Sequence, residues 1–164
     1  EAGLFMLDVD YTPASHAWIP GQRSSPYEMG LGWTVNLDKQ GYFVGRRALE
    51  REHREGSSWQ LVGLEIDWEG LEREYAVVGM PPQVPASAVR GSVPVYAGPR
   101  QVGYASTSTW SPVLKKYIAL VHLQQPYFTP GTKVEIEVTV EHHRRKSPAT
   151  VVKLPFYDPE WKKK

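Results

Sequence analysis

Cysteine is absent from all 164 residues. That excludes a disulfide scaffold, thiolate-bound zinc, iron–sulfur ligation and a cysteine nucleophile. No apolar run approaches the ~18 residues of a membrane span, and no signal-peptide pattern opens the chain. A dominant charge is missing too. Nineteen basic residues face 18 acidic ones, a formal charge of +1, so no global pull on nucleic acid is expected. Long uninterrupted stretches are few, because Gly and Pro number 14 each and are spread along the chain. Short elements and many turns follow. Local catalytic signatures are also missing. There is no Gly-x-Ser-x-Gly, no P-loop and no His-Glu-x-x-His, and Gly30-Leu31-Gly32 lacks the third glycine of a phosphate-cradling loop.

What is present is ordinary for a globular chain: 41% hydrophobic and 23% charged residues, which argues against disorder. A folded chain of this size buries roughly 70% of its unfolded surface, so a core forms without staples. The chain opens on Glu1 and the apolar stretch Leu4-Phe5-Met6-Leu7. Domains seldom begin this way, because first residues fray. The opening reads as a segment cut from a longer protein, with processing of a precursor as the alternative.

Periodicity divides the chain in two. Residues 12–27 are rich in Pro, Ser and Gly and read as a loop; 30–37 alternate weakly and read as a strand. Residues 45–55 turn helical, with Ala48 and Leu49 as an apolar stripe, Glu50 and Arg54 as an i,i+4 pair and Gly56 as the stop. From Trp59 the texture becomes β. Strands are expected at 59–66, 93–96, 102–107, 117–123, 133–140 and 150–154. Residues 67–90 read as an acidic stretch and then irregular chain, because Pro81, Pro82 and Pro85 forbid regular structure. The cleanest alternation places Val134, Ile136 and Val138 inside. Six short strands about ten residues apart predict a closed or nearly closed antiparallel barrel over 59–154. The class is α+β: an α+β piece over 1–56, a β-barrel over 57–157 and a charged tail over 158–164.

Isolated motifs carry little chemistry. His142-His143 is followed by Arg144-Arg145-Lys146; three cations repel a metal ion, and a solvated hairpin tip is the simpler reading. That cluster and Lys162-Lys163-Lys164 open an alternative in which the chain is a non-catalytic module binding protein or nucleic acid. Nucleic acid is disfavoured on a neutral protein. Glu65, Asp67, Glu69, Glu72 and Glu74 read as a solvated loop. Trp33 and Trp110 lie beside small residues, where an indole can stack on a planar ligand or pack in the core.

An ordered set of short motifs says more. Glu1-Ala2-Gly3-Leu4 comes first, then Ser25-Pro26-Tyr27-Glu28-Met29-Gly30-Leu31-Gly32-Trp33, Leu37-Asp38-Lys39 and 43–49. Residues 102–108, 111–120, Pro130-Gly131-Thr132 and 154–159 continue the series. Together they resemble the glycine-cleavage T-protein (aminomethyltransferase) family. The resemblance implies tetrahydrofolate as one-carbon acceptor from a small methylated or aminomethyl donor, with no membrane partner and a cytoplasmic setting. It implies three domains around a folate channel. This chain would be the end of the middle, ferredoxin-like α+β domain and the C-terminal barrel, with the N-terminal folate domain and the essential aspartate upstream. No catalytic residue is therefore assigned within the chain. Tyr11, Tyr27, Glu28 and Trp33 are the expected folate contacts, with turn anchoring for Glu28 and packing for Trp33 as second readings. Leu7-Asp8-Val9-Asp10-Tyr11 replaces the family's aromatic-Gly-x-Asp stretch, and the loop 12–27 is longer than in T-proteins. Both features resemble relatives that demethylate methoxy-aromatic or methylated sulfur and amine substrates.

Overall fold

The computed structural model describes residues 1–85 and 87–163. Lys164 and the side chains of Lys162 and Lys163, part of the basic tail singled out above, lie outside the described residues. The elements run α1 (Arg46–Glu55), β1 (Trp59–Ile66), α2 (Trp68–Ala76), β2 (Val89–Ala97), β3 (Arg100–Ser111), β4 (Lys116–Gln124), β5 (Lys133–Val140) and β6 (His143–Val152), with 3-10 turns at Pro20–Gln22, Gly32–Thr34 and Glu160–Lys163.

The six strands close into a barrel in the order β1-β4-β3-β2-β5-β6, all neighbours antiparallel. Alternate residues point inward. Leu64, Val95, Val102, Val121, Leu123 and Val151 are fully buried there, each stabilising the fold by about 1.5–3 kcal/mol relative to exposure. On β5, Val134 and Ile136 join this core, whereas Val138 is half-buried and lines a cavity with Tyr75 and Pro94.

β4 is buried on both faces from Ile118 to Leu123. Ala119, Val121 and Leu123 face the barrel interior; Leu120, on the other face, packs with Leu61 and Met29. The cover on that outer face is the N-terminal segment, whose Phe5, Tyr11 and Leu31 complete the cluster. The first thirty residues are thus a strap over β1, β3 and β4, and this strap builds the site.

Three expectations are corrected. Residues 30–37 hold no strand: Gly32 packs directly on the Tyr27 ring, and the chain coils into a single 3-10 turn. The acidic run is not a loop, because Glu69, Glu72 and Glu74 ride on α2 while Leu71 of the same helix is buried. The last strand begins at His143, not near Thr150; Glu141 and His142, both at positive φ, make the tip. α1 forms as expected but buries nothing. It is held by polar contacts, Arg46 donating to the carbonyls of Leu37, Lys39 and Gly41 at 2.8–3.0 Å.

Candidate functional site

The strap is fixed by a buried acid. Asp10 is 2% exposed. Its Oδ1 accepts from Ser106 Oγ at 2.5 Å and Thr107 Oγ1 at 2.8 Å, and its Oδ2 from the Met6 amide at 2.8 Å. Two consecutive strand residues reach one oxygen because β3 carries a bulge there: Ala105 pairs with Val121 and Thr107 with Leu120, leaving Ser106 as the extra residue. The Asp10 carbonyl accepts from His122 Nε2 at 2.6 Å.

Beside this anchor lies a cleft of about 730 Å³, walled by Thr12, Trp18, Arg23, Glu28, Trp59 and Tyr104 among others. Glu28 and Glu52 meet on Ser25. The Ser25 amide donates to Glu28 Oε2 at 3.3 Å, Ser25 Oγ donates to Glu52 Oε1 at 2.6 Å and accepts from the Glu28 amide at 3.0 Å. Ser57 Oγ also donates to Glu52 at 2.5 Å. The long loop forms the outer wall. His16 is tied to Asp8 at 2.8 Å, and Gln22 accepts from the Trp18 and Ile19 amides. The Tyr104 ring stacks on His122 with centroids 5.0 Å apart and planes 18° apart. Burial, and next the Glu28 carboxylate, push the Tyr104 phenol above its ordinary range.

The four residues expected to contact folate separate. Glu28 lines the cleft and also anchors the Ser25 turn, so the site reading and the anchoring reading describe one side chain. Tyr11 is packed into the Met29–Leu61–Leu120 cluster. Tyr27 covers Gly32 and sits 5.6 Å from the His53 ring. Trp33 is 83% exposed, so it is no core residue. Trp110, by contrast, packs edge-on against Trp68 at 5.2 Å. Asp10, His122, Glu52 and Tyr104 were not singled out from the sequence as site residues. His122 had a signal: it is the one polar side chain in the apolar run 118–123.

The basic hairpin is matched by acids. Arg144 faces Glu137 at 3.6 Å, Arg145 faces Glu74 at 3.5 Å and Lys146 faces Glu135 at 3.8 Å. Among the described residues no group of three or more metal-ligating side chains comes together, and no helix is long and apolar enough to cross a membrane.

Residues 60–158 match the family described as glycine cleavage T-protein C-terminal barrel domain. The chain belongs to the glycine cleavage T-protein family. Among its relatives, an aminomethyltransferase of Prochlorococcus marinus (strain NATL2A) is 34% identical over 134 residues, 82% of this chain and 30% of that protein. One from Bacillus pumilus (strain SAFR-032) is 32% identical over 133 residues, 81% of this chain and 31% of that protein. The chain therefore spans about 30% of the length of the curated relatives it matches. The crystal structure of glycine cleavage system aminomethyltransferase T from Bartonella henselae superimposes with a TM-score of 0.68 at 19% identity, over 95% of this chain and 36% of that one. The likeness is one of fold, and the closed antiparallel barrel matches a T-protein C-terminal barrel.

Proposed function

We propose that this chain is the C-terminal portion of a tetrahydrofolate-dependent aminomethyl- or methyltransferase. The supporting observation is the family match over the barrel, together with relatives that carry the aminomethyltransferase name over a length about three times greater. On this reading residues 1–56 end a middle α+β domain, 57–157 are the barrel domain, 158–164 are a tail, and the folate domain lies in the part these relatives have beyond the match. The protein works in the cytoplasm. Tetrahydrofolate receives the one-carbon group from a small methylated or aminomethyl donor.

The residues present suit an aromatic, polar ligand. Trp33 offers an open indole face on a 3-10 turn, and Glu28 brings a hydrogen-bonding carboxyl to a cleft large enough for a small molecule. Tyr11 and Tyr27 support these two through the apolar cluster and the Gly32 contact. The donor is a methylated or methoxylated small molecule, as in the demethylating relatives. The support is the residue change at 7–11 and the long loop, which here forms one wall of the cleft.

The test is one-carbon transfer to tetrahydrofolate by the full-length protein across aminomethyl, N-methyl, S-methyl and O-methyl donors. Transfer from at least one donor is expected, with no turnover and weak folate binding by the present chain alone. Turnover by this chain, or no transfer from any donor, overturns the reading. The module alternative draws nothing from the basic hairpin, whose three cations are each matched by an acid.

A further inference from the structure

His122 is a buried histidine in the wall of a barrel, and one of its nitrogens has no hydrogen-bond partner. The other nitrogen settles where a proton sits. A carbonyl oxygen only accepts, so Nε2, 2.6 Å from the Asp10 carbonyl, carries hydrogen. Nδ1 is closed off from solvent, and the charged atom facing it is Glu28 Oε1 at 3.6 Å. Without a further proton, the lone pair of a nitrogen closed off from solvent confronts a carboxylate oxygen. That leaves a buried acceptor unsatisfied and two negative ends opposed. One proton, on either atom, turns the contact into an attraction.

The neighbours supply no other remedy. The Asp10 carboxylate is occupied by Ser106, Thr107 and the Met6 amide. Glu52 on α1 is occupied by Ser25 and Ser57. Tyr104 covers His122 with its ring face. Among the described residues no lysine or arginine lies within ion-pair distance of Glu28.

We propose that Glu28 and His122 form a one-proton acid–base pair, closed at the back by the Asp10 carbonyl and open to the cleft through the Glu28 carboxyl. The pair carries no net charge while it holds the proton: imidazolium facing carboxylate, or carboxyl facing neutral imidazole. Giving the proton to a basic group in the cleft leaves the pair at −1 and the group at one unit more positive. Glu28, with 18% of its side chain exposed, is the exit; His122, at 2%, is the reservoir. The pair rests on the chain's own geometry and stands whether or not the cleft takes folate.

The experiment is imidazole nitrogen NMR on the present chain labelled with 15N-histidine, followed across pH, with the exposed His142 of the β5–β6 tip and the exposed His143 at the start of β6 as internal controls. In the wild type, His122 Nε2 should be proton-bearing throughout, and Nδ1 should be protonated or hydrogen-bonded at pH values where the two controls are neutral. Glu28→Gln should weaken the protonation of Nδ1, and Glu28→Asp should restore part of it. A wild-type Nδ1 with the resonance of a free lone pair overturns the proposal. So does a titration that Glu28→Gln leaves in place. The wild-type spectrum decides the matter even if a variant fails to fold.

Discussion

Asp10 Oδ1 accepts a 2.5 Å hydrogen bond from Ser106 Oγ, joining residues 96 positions apart. This contact ties a strap that has almost no regular secondary structure to a strand of the barrel. Charge-assisted hydrogen bonds of this kind contribute roughly 1.5–3 kcal/mol each, and losing one partner leaves the other unsatisfied. Asp10→Ala should therefore cost about 3 kcal/mol of unfolding free energy, read from the denaturant midpoint. Ser106→Ala should cost about half as much, since Thr107 keeps its bond to the same oxygen. An Asp10→Ala chain as stable as the wild type would mean the strap is held by its apolar contacts alone.

Two glycines face very different neighbours. A Cβ on Gly103 would overlap the main-chain carbonyl oxygen of His122 on the paired strand. A Cβ on Gly63 would meet the Phe156 ring at 2.7 Å and Val152 Cγ2 at 2.9 Å, both side-chain atoms. Side chains rotate away and a ladder carbonyl does not. Gly103→Ala should cost about 3 kcal/mol and Gly63→Ala about 1. Thermal midpoints of the two variants in reverse order would contradict this.

Glu1 reaches across to β3. Its carboxylate accepts from Ser111 Oγ at 2.5 Å and from the Val113 amide at 3.3 Å, and the Ser111 bond foremost holds its pKa below the ordinary value. A lowered folded-state pKa adds stability that is fully present above the unfolded carboxylate range and fades as the pH falls through the lowered value. Wild type and Glu1→Gln should therefore differ in melting temperature near neutrality and converge in acid. A gap that persists in acid would place the effect elsewhere.

In the full-length protein, Tyr11→Phe and Glu28→Gln should each lower one-carbon transfer by about tenfold, or about 1.4 kcal/mol, with melting temperatures nearly unchanged. Wild-type rates in both, or rates lost only through unfolding, would leave these side chains with structural roles alone.

Much of the barrel was legible because its strands obey a period of two. β5 shows it along most of its length, with Val134, Ile136 and Val140 buried and Lys133 and Thr139 exposed, while Val138 is half-buried. α2 was hidden by its acids. The spacing Trp68, Leu71, Tyr75 was its signal, outweighed by the charges around it and the prolines that follow. The weak alternation at 30–37 misled because glycine supplied two of the four residues on its non-apolar face. Glu28, which lines the cleft, was singled out through its place in a family motif. His122 and Asp10 were not, since their meaning arises only when the strap crosses β4, and that crossing joins residues more than a hundred positions apart.

Barrel closure is uneven. β5 and β6 pair along eight residues, whereas β2 and β5 meet at only Val95–Ile136 and Tyr96–Glu135. Pro94 removes a donor next to that seam, and β2 shifts register on either side of it. Deuterium should therefore enter the amides along this seam earlier than those of the β3–β4 and β1–β4 ladders. If the cylinder opens before it unfolds, it opens here, and the strand edges it bares are free to recruit a second molecule. Slow storage loss through intermolecular strand pairing would then begin on the side of the barrel away from the strap, leaving the cleft intact in the species that first associate.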